Sequence, residues 1–545
     1  MLLQKHLMGC LIISLTLGIG VNQAQPPIAW DASFGGAGAE ACQKIVKTTD
    51  GGYLLVGYSN SEPSGNKTAP NYGLIDYWIV KTDSLGNKQW DQSYGGLGHD
   101  IAKNALPSPD GGYLLVGTSR SRPSGNKTAL GYGDNHFWIV KIDSLGNKQW
   151  EKTYGGFSDD HAHTALPSPD GGYLLVGTSN SRPSGNKTAP NYGGSDYWIV
   201  KIDSLGNKQW DQSYGGLRGD FPNNALLSPD GGYLLVGSSN SESSGNKTAP
   251  NYGRDDAWIV KVDSWGNKQW DKAYGGTRTD IAYHTLLSPD GGYLLGGWSD
   301  STPSGNKTAP NYGGGDFWIV KVDSWGNKLW DKAYGGTSNE SVLSALPGSD
   351  GGYLLGGFSD SPPGGNKNAP NYGRTDSWIV KIDSLGNVQW DQSYGGDKGD
   401  VPNSVKSSSD DGYLLGGFSD SGPSGNKTAP YYGGSDFWLV KLEGKAQEIQ
   451  VVWPYEDDRL NDPILQDDRF LVCEVRVRKA DGSTLNKGFT NARGTIKLYG
   501  VAPGDYIEVT GVEVLMPAKG GATFSQFSTS PLEIELSPKF KTIQP

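Results

Sequence analysis

Across residues 37–96 the apolar and polar positions fall into short runs with no 3.6-residue spacing. Residues 88–94 alternate: Trp90, Gln92 and Tyr94 share one face, and Gln89, Asp91 and Ser93 share the other. Tyr53-Leu54-Leu55-Val56-Gly57 is a continuous apolar run of strand length. Tyr77-Trp78-Ile79-Val80-Lys81 is rich in aromatic and β-branched residues, which also predicts a strand. A further short, mixed segment is clearest in the next unit, at 100–108, where the turn Pro109-Asp110-Gly111-Gly112 ends it. Asp83-Ser84-Leu85-Gly86-Asn87 reads as a hairpin connection, and 59–73 as a long polar loop. Each unit therefore offers four short strands. The middle two are apolar on both faces, as suits a sheet packed between two others.

The unit returns every 60 residues, carrying Trp30, Trp90, Trp150, Trp210, Trp270, Trp330 and Trp390. Four strands repeated at this period predict a β-propeller. The Asp-Gly-Gly-Tyr turn, with its variant at 410–413, occurs seven times, and so does the Trp-Ile-Val-Lys strand. The Trp-Asp strand also occurs seven times, but it begins early, at Trp30, and ends early, at Trp390. Residues 28–36 are thus expected to supply the outer strand of the seventh blade and close the ring, which removes exposed sheet edges. Beyond residue 446 the period stops. Glu474–Arg478, Thr495–Leu498 and Tyr506–Val509 alternate as half-buried strands, with turns at 480–483 and 502–505. The expected fold is all-β: a seven-bladed propeller of four-stranded blades over residues 25–445, then a small β-sandwich over 446–545.

Composition refines this picture. The 81 glycines and 31 prolines would suggest low complexity, but the glycines recur at fixed turn positions. A net charge of −11 and a pI near 5.1 argue against nucleic acid and anionic membrane surfaces as partners. Residues 1–24 read as a secretory signal: Lys5 and His6 precede an apolar run, and Ala24 stands before Gln25. That implies a periplasmic, cell-surface or extracellular protein, and no other segment has the length of a membrane span. Cys42 and Cys473 fall in different predicted domains and read as two isolated thiols, not a disulfide framework.

The repeated Asp-Gly-Gly-Tyr-Leu-Leu-Val-Gly and Asp-Tyr-Trp-Ile-Val-Lys-x-Asp-Ser-x-Gly-Asn-x-x-Trp strings resemble the tandem-repeat propellers exported by bacteria, over residues 28–442. The Asp83–Gly86–Trp90 spacing also resembles the tryptophan-docking motif of quinoprotein dehydrogenases. That resemblance implies that each Trp of the series packs against the next blade. The catalytic features of those enzymes, an adjacent cysteine pair and eight blades, are missing here. The region after residue 446 resembles carboxypeptidase-regulatory-like sandwich modules, which implies a spacer or adhesion accessory.

Two acidic positions map to the face where outer strands cross to the next blade. One is Glu40, Asp100, Asp160, Asp220, Asp280, Glu340 and Asp400; the other is Asp76, Asp196, Asp256, Asp316, Asp376 and Asp436, with His136 in the second blade. They would suit a cation such as structural calcium, or they cap backbone N–H groups in their own turns. No other cofactor is expected. Tyr72, Tyr132, Tyr192, Tyr252, Tyr312, Tyr372 and Tyr432 recur in the long loop beside Asn and Asp. They either form a sugar-binding surface or pin the loop to its own blade. His161 and His163 lie on one side of an inner strand, a spacing that suits metal ligation, and His284 sits at a matching place two blades on. No Ser/His/Asp arrangement stands out. The copies differ most at 97–99 and 74–75 and their equivalents, where an asymmetric ligand would be read.

The reading that follows is an exported, non-catalytic, monomeric scaffold. It engages a glycan or an extracellular protein through its loop-rich face. A quinoprotein-like or other channel-centred enzyme is the alternative reading, and a purely structural spacer the third.

Overall fold

A computed structural model describes residues 25–408, 410 and 412–444 in full. Elsewhere it describes the backbone of strands at 12–15, 447–452, 470–478, 484–489, 495–498, 506–515, 526–527 and 532–535. Seven four-stranded sheets form a propeller ring. In blade one the strands are Glu40–Lys47, Tyr53–Ser59, Asp76–Thr82 and Lys88–Tyr94, paired in that order. Neighbouring strands within blades one to six run antiparallel, as in Tyr53↔Thr82 and Ser59↔Asp76. The first strands of blades one to six pack against one another in turn, so this strand lies at the axis.

The third strand is buried along its whole length because both of its faces meet a blade. Tyr77 of blade one tilts against Trp138 of blade two at 4.7 Å and donates its hydroxyl to the Trp138 carbonyl at 3.0 Å. Trp78 meets Phe437 of blade seven in the same way, at 4.6 Å. Trp30, Trp90, Trp150, Trp210, Trp270 and Trp330 of the outer strands reach a glycine of the next blade. A Cβ on Gly86 would lie 2.5 Å from the Trp30 ring, and one on Gly146 3.0 Å from the Trp90 ring. Gly86 is doubly required, since its φ of +82° also disfavours any side chain.

Blade seven consists of Asp400–Ser407, Tyr413–Ser419 and Asp436–Leu442, with Ile28–Phe34 as its outermost strand. Asp31 fixes the seam: its Oδ2 accepts the N–H groups of Thr428 at 3.0 Å and Ala429 at 2.8 Å, and the Trp438 indole at 3.0 Å. The expected closure by the N-terminal strand is therefore present. A β-bulge in the first strand of blades one to six was not expected; in blade one it lies between Cys42 and Lys44.

The larger compact unit comprises Gln23–Lys406 and Leu414–Lys441. In the other, Gln447–Val452 pairs with Ile12–Leu15 and with Thr495–Leu498. A second sheet there joins Phe470–Arg478 with Thr484–Phe489 and Tyr506–Leu515, the last also pairing with Gln526–Phe527 and Leu532–Glu535. The three strands expected after residue 446 fall within these, and the turns at 480–483 and 502–505 lie outside the described residues. No described helix is long and apolar enough to cross a membrane. Cys42 is a free, buried thiol, which burial pushes up to about 12.

Candidate ligand-binding face

The long loop is first of all a latch. Asn66 Oδ1 accepts the Gly35 N–H and its Nδ2 donates to the Ser33 carbonyl, both at 2.9 Å, so blade one grips the outer strand of blade seven. Asn126 does the same to Gly95 and Ser93 of blade one. Within its own blade the loop is held by Asp91, which accepts the N–H groups of Thr68 and Ala69, the Trp78 indole and the Lys88 ammonium at 2.8–3.0 Å. Burial alone would raise the Asp91 carboxyl, but these donors outweigh it and hold it down at about 2. In blade two Glu151 takes over and still reaches the Trp138 indole, at 2.8 Å.

The recurrent tyrosines are part of this latch. Tyr72 is half-buried, and a Cβ on Gly125 of blade two would stand 2.8 Å from its Cβ. Tyr132, Tyr192, Tyr252, Tyr312, Tyr372 and Tyr432 lie over Gly185, Gly245, Gly305, Gly365, Gly425 and Gly65 in the same way. Each ring thus rests on the following blade, an arrangement that neither sequence reading anticipated.

The acidic positions lie beneath the face, not at a solvated rim. Glu40, Asp100, Asp160, Asp220, Asp280, Glu340 and Asp400 are fully buried. Asp100 Oδ2 accepts the Gly96 N–H at 2.8 Å, capping its own turn, and the Ser121 hydroxyl at 2.7 Å. Asp76 Oδ2 accepts the Tyr72 N–H at 2.5 Å, while its Oδ1 is buried without a partner. A Cβ on Gly95 would lie 1.9 Å from Asp76 Oδ1 and 2.9 Å from Asp100 Oδ2, so the two carboxylates converge on one point. Burial pushes Asp76 up to about 7, opposed by the Tyr72 amide and reinforced by Asp100. Asp196, Asp256, Asp376 and Asp436 also rise to about 7, and Asp316 to about 6, for the same leading reason. His136 replaces the acid in blade two; neither of its buried ring nitrogens has a partner, and burial followed by Lys127 lowers it to about 3. Among the described residues no three His, Cys, Asp or Glu side chains are arranged to hold a metal ion.

Two recesses open where the copies diverge. The first, about 470 Å³, lies between blades two and three and is lined by His99, Lys103, Asn135, Asp159, His161, His163 and Asn180, with Phe221 at its edge. Asn135 Nδ2 donates to Asp159 Oδ1 at 2.6 Å, and Ser195 donates to Asn180. His163 Nε2 lies 3.0 Å from the Thr178 hydroxyl; burial, then Lys103 and His161, lowers this imidazole to about 3. Phe221 is 39% exposed and so offers a ring face to a ligand. The second recess, about 500 Å³, is bounded by Arg374, Thr375, Asp397, Lys398, Val401, Phe418 and Asp420. The sequence brought His161 and His163 together correctly. It gave no sign of Phe221, Asn180 or the Asp31–Asp91 series, although the latter stands after a tryptophan in almost every copy.

No protein-family profile matches the chain. The chain is similar to the regulatory protein FlaEY of Caulobacter vibrioides, with 24% identity over 419 residues, 69% of this chain and 42% of the relative. It therefore spans less than half of that relative's length. Among solved structures it is similar to a puromycin hydrolase, with 11% identity, 87% of this chain and 59% of the other covered, and a TM-score of 0.41. It is also similar to the extracellular domain of the putative one-component system BT4673 of B. thetaiotaomicron, with 12% identity, 96% and 76% covered, and a TM-score of 0.25.

Proposed function

We propose that the protein is an exported, non-catalytic recognition module that binds a glycan in the recess between blades two and three. The C-terminal strands would then form a sandwich-like spacer. One observation carries this reading. This recess brings together two carboxamides, Asn135 and Asn180, the Asp159 carboxylate and the aromatic face of Phe221, a combination that no other blade junction repeats. Flat sugar rings stack on aromatic faces, and their hydroxyls need paired donors and acceptors such as Asn135–Asp159. Its volume lies within the range of ligand sites, about 300–1,000 Å³.

A channel-centred enzyme is the second reading, favoured by the convergence of His161, His163, Lys103 and Asp159. Against it, His163 is neutral at physiological pH and bonds a threonine hydroxyl, and no carboxylate is hydrogen-bonded to either ring.

A glycan array probed with the full chain tests the proposal. Wild type should bind a restricted set of glycans. Phe221→Ser and Asp159→Gly, which install the residues of Ser341 and Gly219 at the same places in other blades, should weaken that set at least tenfold. Equal binding by the variants, or none by wild type, refutes it.

A further inference from the structure

Seen along the first strands, the bore of the ring has a different character from the rest of the molecule. The chain as a whole carries a net charge of −11. Yet Lys44 of blade one, His284 of blade five and Lys406 of blade seven all sit on axial strands; Lys406 acts on Lys44, both lysines act on His284, and Lys47 acts on Lys406. Lys44, His284 and Lys406 are half-buried. No carboxylate among the described residues bears on any of them. His284 Nδ1 is buried without a hydrogen-bond partner. Burial, then Lys406, lowers the Lys44 amine to about 7; burial, then Lys44 and Lys406, lowers His284 to about 3.

The repeats supply their own control. At the place of Lys44 and His284 the other blades carry Asn104, Thr164, Asn224, Ser344 and Ser404. At the place of Lys406 they carry Val46 or leucine. These neutral residues build the same strand with the same bulge. The two lysines and the imidazole are therefore no requirement of the fold. Unpaired charge in a confined site is destabilising. Two lysines and an imidazole from three blades with no acid between them form a site completed by an anion.

We propose that the bore binds a small oxyanion, a phosphate, sulfate or carboxylate group, between Lys44, Lys406 and His284. The site lies on residues outside the glycan recess, so the two proposals fail separately.

Calorimetry and thermal melts of the full chain with inorganic phosphate, sulfate and citrate at constant ionic strength test it. At least one of the three should bind saturably and raise the melting temperature, and chloride should not. The best binder identifies the oxyanion class. Binding at pH 7.5 should take up protons, seen as a dependence of the heat on buffer ionisation enthalpy, because a bound anion restores the charge of Lys44. The double variant Lys44→Asn with Lys406→Leu, residues other blades already use, should weaken binding at least tenfold. Should it lose its fold, Lys44→Asn alone should weaken binding at least threefold. An equal response to chloride, or unchanged affinity in the variant that folds, overturns the proposal.

Discussion

The recess between blades two and three and the one between blades six and seven occupy the same place in the repeat, yet share almost no chemistry. Asn135, Asp159, His161, Thr178 and Asn180 in the first correspond to Thr375, Gly399, Val401, Phe418 and Asp420 in the second. The supporting strands keep one register: Asp100↔Ser119 and Pro107↔Tyr113 of blade two have their counterparts in Glu340↔Ser359 and Pro347↔Tyr353 of blade six. The blade scaffold therefore sets where a recess forms, and a handful of side chains at its inner corner sets what it can hold. Duplication kept the first and released the second.

The largest effect should come from breaking what both recesses share. Asp31→Ala removes the acceptor for two amides, an indole and a hydroxyl at the seam. It should lower the stability of the full chain by about 3 kcal/mol in urea, since donors are left unpaired. A loss no larger than that of an exposed-loop substitution would show that the seam does not hold the ring.

A smaller and more selective effect is expected from converting one recess into the other. Asn135→Thr, Asp159→Gly, His161→Val and Asn180→Asp together place the blade six–seven chemistry between blades two and three. Glycan binding should fall at least tenfold, while stability changes by less than about 1 kcal/mol, because none of the four is a framework residue. A large drop in melting temperature would show that these residues belong to the scaffold.

The smallest effect concerns the carboxylate pairs buried beneath the face, which the junction of blades two and three replaces by His136 and Asp160. Asp76 and its equivalents have folded-state values near 7, above the ordinary 3.8. The folded protein thus binds extra protons between those values, so its stability should rise as pH falls from 8 to 5. His136 works in the opposite sense. Its folded value of about 3 lies below the ordinary 6.5, so its contribution is lost as pH falls through that window. His136→Asp should therefore enlarge the gain in melting temperature between pH 8 and pH 5 by a degree or more. An unchanged or reduced gain would show that the pair in blade two does not share a proton as the others do.

Much of the fold was legible because one pattern recurs. Trp90, Gln92 and Tyr94 on one face, the run from Tyr53, and the early copy at Trp30 suffice for strand order, blade count and closure. The bulge at Gln43 was hidden, because one extra residue per strand does not disturb a 60-residue period. The contact of Tyr72 with the next blade was hidden, because its partner, Gly125, is 53 residues away and has no side chain to suggest contact. The recess was only half visible. His161 and His163 are neighbours in sequence, but Asn180 and Phe221 join them only when strands from separate repeats meet.

The outer strand of blade seven carries a consequence for the order of events in time. Asp31 and Thr428 are 397 positions apart, yet they meet in one hydrogen-bonded cluster. A chain delivered N-terminus first must hold residues 28–34 unpaired while six blades assemble, and only the arrival of Asp436–Leu442 gives them a partner. Until then the growing arc has two raw edges, and a neighbouring chain could offer its own first strand to either. Circularity in this molecule is a race between its own two ends and everyone else's.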